Sequence, residues 1–128
     1  MSALPSDFRS VLRLWTRYVD NKGNASNVDA NVTACIDAGI SLLAEFEIFG
    51  SRSWANTYEK NHQKQMQYYT TGNSKVKYKH NATTTTAFWW TSSAMYYYAY
   101  SFCYVDSRGS CFSKETKTII GLAPAFKV

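Results

Sequence analysis

The sequence is short of the residues that punctuate or staple a chain: 2 prolines, 6 glycines and 3 cysteines in 128 residues. Cys35, Cys103 and Cys111 are too few and too far apart for a disulfide framework, and no C-x-x-C pair offers a zinc-type spacing. They read as small buried hydrophobes, with one optional bridge left open. Long hydrophobic runs are also missing. Ile40 to Leu43 and Phe88 to Trp90 fall far short of the roughly 20 residues that a bilayer-spanning helix needs. Met1 to Asp7 shows no basic segment leading into a hydrophobic one, so no secretory signal is read there. There is no Gly-rich phosphate loop, no H-E-x-x-H and no G-x-S-x-G, and neither His62 nor His80 stands in a setting that marks a general base. These absences set the expectation of a non-enzymatic protein with no catalytic residues, metal or cofactor, and no membrane insertion.

What is present describes a folded unit. Apolar residues make up 45% and charged ones only 18%, which excludes a disordered charged tail, and the length suits a single domain over 1–128. Phe8, Val11, Leu12, Trp15, Tyr18 and Val19 recur at helical spacing, with Arg9, Arg13 and Arg17 expected on a solvated face. Ser6 or Asp7 is placed to cap that helix and Asn21 to Gly23 to end it, before a polar loop at Asn24 to Asn31. Ile40 to Phe49, stopped by Gly50, belongs to the core. Glu45 and Glu47 lie within it, so one of them is expected to be buried and bonded to backbone or to an arginine such as Arg52. Trp54 to Thr71 reads as a second helix with Gly72 as its stop signal. Phe88 to Trp90 suggests a buried strand, Phe102 to Val105 a strand, Asp106 to Gly109 a turn, and Ser110 onward the returning strand. Ile119 to Val128 reads as one more apolar strand, with Pro124 at an edge or bulge.

Two segments carry unusual chemistry. Residues 51–80 hold Arg52, Lys60, Lys64, Lys75, Lys77 and Lys79 against Glu59 alone, a surplus equal to the +5 of the whole chain. Beside Tyr68, Tyr69 and Tyr78 this stretch could follow a phosphate backbone, but Lys75, Lys77 and Lys79 alternate as a lysine-guarded edge strand does. The edge strand is preferred and nucleic acid is the weaker reading. The second segment is Ser92 to Ser113, where 11 of 22 residues are Ser or Tyr, against 13 of 106 elsewhere. Tyrosine supplies large amphipathic contact area at low entropic cost and serine supplies adaptable hydrogen bonding, the chemistry of binding loops.

Three stretches in fixed order carry a resemblance: LLAEFEIFGSRSWANTYEKN at Leu42 to Asn61, FWWTSS at Phe88 to Ser93, and FCYVDSRGS followed by GLAPAFKV. Together they resemble the C-type-lectin-fold domains of the formylglycine-generating-enzyme-like branch. These include variable proteins of diversity-generating retroelements and phage tail receptor-binding domains. The leucine–glutamate motif at Leu42 to Phe46, the Trp-Trp motif at Trp89 to Ser93 and the terminal strand Gly121 to Phe126 match that branch over roughly Leu4 to Val128.

The resemblance implies an α+β C-type lectin fold, two helices on a small, mainly antiparallel sheet, with a variable, ligand-displaying region at about 92–118. It implies a binding scaffold whose diversifiable residues face outward. Phe102, Cys103, Val105 and Gly109 would be scaffold; Tyr96, Tyr97, Tyr98, Tyr100, Tyr104, Arg108, Phe112 and Lys114 would be displayed. The expected partner is a protein or glycan receptor on a cell surface. The expected location is a phage tail or bacterial surface, and a homo-oligomer is compatible with it. Calcium-dependent sugar binding is not carried over, because the Glu-Pro-Asn, Gln-Pro-Asp and Trp-Asn-Asp triplets are absent. The alternatives are a nucleic-acid binder using residues 51–80 and an orphan formylglycine-generating-type enzyme using Cys103 and Cys111.

Overall fold

The computed structural model describes residues 5–20, 32–55, 57–96, 98 and 100–127. The first helix is shorter than the apolar spacing implies. Helix α1 spans Ser6–Val11, starts after Pro5 without a side-chain cap, and ends where Leu12 turns extended (φ −65°, ψ 132°). Trp15–Asp20 then forms strand β1, antiparallel to β2 (Val32–Ala38). Trp, Thr, Tyr and Val in β1 suit a pleated strand, and pairing with β2 overrides the 3.6-residue pattern. Arg17 is thereby turned inward and is 2% exposed, so the expected solvated arginine row fails at that position while Arg9 and Arg13 stay exposed. The expected helix stop at 21–23 and loop at 24–31 lie outside the described residues.

Strand β3 (Ile40–Ser41) leads into α2 (Glu45–Phe49), which Gly50 ends with φ 68° and its N–H on the Phe46 carbonyl at 2.8 Å. Gly50 acts as the stop that its position suggests. The long helix expected over Trp54 to Thr71 is instead a 3-10 turn (Thr57–Asn61) and a four-residue helix α3 (Gln67–Thr70). Between them the chain follows tertiary partners: Met66 N–H donates to the Glu47 carbonyl at 2.8 Å and Gln65 Nε2 to that of Ile48 at 3.0 Å.

The alternating lysines lead to the expectation of an edge strand; strand β4 (Lys77–Lys79) takes two of the three, leaves Lys75 outside, and pairs with β5 (Ala82–Ala87) in a two-stranded sheet. The central sheet orders β8 (Cys111–Glu115), β7 (Ser101–Val105), β6 (Trp89–Ala94) and β9 (Gly121–Leu122), with β9 parallel to β6 and the other pairs antiparallel. The expected single terminal strand is two. Pro124 separates β9 from β10 (Ala125–Phe126), which pairs with β3. The protein is thus a small mixed α+β domain with three short helices and several antiparallel sheets.

Leu43, Ile48, Tyr69, Trp89 and Val105 form the buried core, with Trp15, Phe49, Met66, Ala123 and Ala125 packed against it. The period of two in the central sheet sends Trp89, Thr91, Ser93, Cys103 and Val105 to this side, each 2% exposed or less. Among the described residues no helix is long and apolar enough to cross a membrane.

Candidate functional site

The site is built on the central sheet, and the buried Glu59 carboxylate joins that sheet to α2, beside two further buried carboxylates, Glu45 and Glu47. Glu45, 1% exposed, accepts the backbone N–H groups of Ser53 (2.6 Å), Trp54 (3.1 Å) and Ala55 (2.7 Å), so it shapes the loop that follows Gly50. Its own N–H donates to Ser93 Oγ at 2.8 Å, and the Ser93 hydroxyl donates to Glu59 Oε1. Glu59 Oε2 in turn accepts the Phe46 N–H at 3.1 Å. Glu47 takes the Ala44 N–H at 2.8 Å and pairs with Arg17, not with Arg52. The sequence led to the expectation that one of the two would be buried; both are, and each carboxylate is matched by charge-assisted donors. Both serve the fold.

The opposite face of the same strands carries Trp90 and Ser92 of β6, Phe102 and Tyr104 of β7, and Phe112 and Lys114 of β8. Ring centroids run Phe88–Tyr104 5.6 Å, Trp90–Tyr104 6.3 Å, Tyr104–Phe112 6.2 Å and Phe112–Trp54 6.5 Å, a continuous aromatic strip across three strands. The Lys114 ammonium lies 5.4 Å from the Phe88 centroid and 5.3 Å from that of Tyr104, within cation–π range. Beside the strip is a hollow of about 310 Å³ lined by Leu42, Trp90, Thr91, Ser92, Phe102, Thr116 and Leu122. Ser92 Oγ is buried with no hydrogen-bond partner among the described residues.

The residues expected to be displayed divide. Tyr98, Tyr100 and Phe112 are 45%, 58% and 38% exposed, and the Tyr98 and Tyr100 rings stack at 5.8 Å. Tyr96 is half-buried beneath the Arg52 guanidinium, and Lys114 is half-buried along the strip. Tyr104 is 7% exposed: Phe88, Trp90 and Phe112 surround its ring, so it supports the strip and is not a displayed residue. Arg108 is exposed but sits on the β7–β8 turn, beyond a strand of about 17 Å that separates it from Tyr100. It therefore does not join the tyrosines in one patch. Tyr97 lies outside the described residues. Of the expected scaffold, Cys103 and Val105 are buried and Gly109 takes φ 84°, whereas Phe102 shares the outer face with Tyr104 and lines the hollow. Trp54, Phe88, Trp90 and Ser92 were not anticipated; the pleat of the Trp89–Trp90 pair, which cannot bury both rings on one side, was the available signal.

On the core side, the strand register places Cys103 opposite Ser113 and Cys111 opposite Val105, so the two cysteines are diagonal neighbours on one face. Both are free thiols. A thiol–thiol contact together with burial pushes Cys103 well above the ordinary thiol range. At Cys111 the contact with Cys103 lowers the value, but burial and the nearby Glu45 and Glu59 outweigh it and the net shift is upward. The Cys103 and Cys111 sulfurs and a Glu45 carboxylate oxygen lie within 4.8 Å of one another, a donor set able to hold a metal ion.

No curated protein and no solved structure matches the chain. The family model of the domain of unknown function DUF6273 matches residues 2–128, and the chain belongs to that family.

Proposed function

We propose that this domain is a non-enzymatic receptor-binding module with a C-type-lectin-like scaffold. In this reading the outer face of β6 to β9, together with Tyr98 and Tyr100, recognises a protein or glycan on a cell surface. The observation that carries the reading is the aromatic strip from Phe88 to Trp54 on the face turned away from the core, edged by exposed Phe112 and Leu122. Aromatic side chains anchored by neighbours lose little entropy on binding and bury large area, which is what a recognition surface requires. The Tyr/Ser-rich composition and the resemblance to variable proteins of diversity-generating retroelements and phage tail receptor-binding domains support the same function. They also support a place on a virion tail or bacterial surface.

Nucleic acid is not the partner we propose. The Lys75 and Lys77 ammonium groups lie over the rings of Phe49, Tyr68, Tyr69 and Trp89, an arrangement that engages them within the domain.

The test is a comparison of chains encoded at this locus in closely related genomes, with the flanking DNA searched for a near-copy of the 3′ end. Differences concentrated at Tyr96, Tyr98, Tyr100, Phe112 and Lys114 beside such a repeat support the reading. Differences scattered over the whole surface, without a repeat, overturn its diversified form. Binding of the labelled domain to intact bacterial cells, lost on Tyr100→Ala and Phe112→Ala with the fold retained, tests recognition itself.

A further inference from the structure

We propose that Cys103, Cys111 and Glu45 form a site for one Zn²⁺ ion beneath the β7–β8 hairpin, with a fourth position left to water or an added donor. This site is on the core side of the sheet and does not depend on the function proposed above. Three potential ligand atoms, two sulfurs and a carboxylate oxygen, already lie within 4.8 Å of one another. Tetrahedral zinc with Zn–S near 2.3 Å separates its two sulfurs by about 3.8 Å, so closing the site asks only for small side-chain adjustments.

The donor chemistry selects the ion. Two thiolates disfavour Ca²⁺ and Mg²⁺, which take oxygen ligands, and the carboxylate suits borderline-soft zinc, for which sulfur and oxygen donors combine readily. Binding is balanced by loss of two thiol protons to solvent; no electron moves and no oxidant is needed.

Glu45 is prepared for the role. The Ser53, Trp54 and Ala55 amides engage both of its oxygens, the Trp54 amide reaching each at 3.1 and 3.4 Å, and fix the group beside the two sulfurs; a metal there would take the place of the long Trp54 contact. Such orientation by outer hydrogen bonds is how metal ligands are held in place. Cys103 is fully buried and Cys111 half-buried, so the ion reaches the site from the Cys111 side, where the fourth position lies. Bound there, zinc would tie the N-terminus of α2 to β7 and β8. Because Trp54 Nε1 donates to the Cys111 carbonyl at 3.0 Å, it would also steady one end of the aromatic strip.

The experiment uses the full chain, reduced and freed of metal by a chelator, titrated with zinc chloride against a chromophoric chelator and followed by thermal unfolding. One equivalent should bind and raise the melting temperature. Cys111→Ser, at a half-buried position, should keep the fold by circular dichroism and bind more than about 100-fold more weakly, beyond what loss of an outer-shell contact causes. X-ray absorption of the zinc-loaded wild type should show two sulfur neighbours at about 2.3 Å with oxygen completing the shell. Failure of the reduced wild type to bind, wild-type affinity in Cys111→Ser, or a shell of nitrogen and oxygen alone overturns the proposal.

Discussion

Arg17 and Glu47, thirty positions apart, meet as a two-pronged ion pair in the interior: both guanidinium Nη atoms reach the carboxylate, Nη2 at 2.7 Å from Oε2. Arg17 also donates to the Leu42 carbonyl at 2.8 Å, and its guanidinium lies 4.5 Å from the Trp15 ring centroid. The pair joins β1 to the start of α2, and neither charge has water to fall back on.

Arg17→Met leaves the Glu47 charge buried without its cation, and should cost about 3–5 kcal/mol in urea denaturation. The double change Arg17→Met with Glu47→Leu removes both charges and should cost less than the single one. Equal or larger loss in the double variant would show that the two are uncoupled.

Asp106 organises the β7–β8 turn by accepting the Arg108 and Ser110 N–H groups, both at 2.9 Å. Burial alone raises its pKa, but those amides and the Arg108 charge outweigh it and hold the carboxyl below its ordinary value. The folded state therefore favours the carboxylate. Its contribution is present above the unfolded value, about 3.9, and is lost as pH falls through the native one. Asp106→Asn keeps an acceptor and removes the charge, so it should cost about 1 kcal/mol at pH 7. The gap from wild type should begin to narrow in thermal melts below about pH 4 and close beneath the native value; a gap constant down to strong acid contradicts the assignment.

Gly50 and Gly72 separate two costs of adding a methyl group. Both have positive φ, 68° and 88°, but a Cβ at Gly72 meets open space whereas one at Gly50 falls 2.7 Å from Gln65 Oε1. Gly72→Ala should cost about 1–2 kcal/mol for the left-handed backbone alone. Gly50→Ala should cost about 1 kcal/mol more, because Gln65 must move and lose its bond to the Ile48 carbonyl. Paired denaturation curves measure the difference.

A display surface should be dispensable for folding. Tyr98→Ala, Tyr100→Ala and Phe112→Ser are each expected to change stability by no more than about 1 kcal/mol while abolishing binding to cells. Tyr104→Ala should cost about 3 kcal/mol, since its ring is enclosed by three others. Loss of binding with Tyr104→Ala alone, the exposed variants being neutral, would move recognition from the surface residues to the strip's interior.

Much of the hairpin was legible because its signals are local. An apolar run at Phe102 to Val105, a turn at Asp106 to Gly109 with a glycine free to take φ 84°, and a return from Ser110 place the hairpin without reference to the rest of the chain. The stop at Gly50 and the burial of a carboxylate in the apolar segment at 40–49 are of the same kind. The N-terminal helix was misjudged beyond Val11 because strand pairing with β2 supplies backbone hydrogen bonds that no nearby residue announces. The second helix was misjudged because the Met66 amide and the Gln65 side chain donate to the Glu47 and Ile48 carbonyls and draw out residues 63–66, although their composition favours helix.

Alone, then, the sequence determined the apolar segment at 40–49, the C-terminal hairpin and the concentration of tyrosine and serine near it, since each rests on composition or on neighbours along the chain. The tertiary structure decided which rings face out, why Tyr104 is enclosed while Tyr98 and Tyr100 are open, which arginine meets Glu47, and that Glu45 stands beside Cys103 and Cys111. The reason is physical: burial and pairing depend on faces contributed by segments tens of residues away, and no local pattern records which distant face arrives.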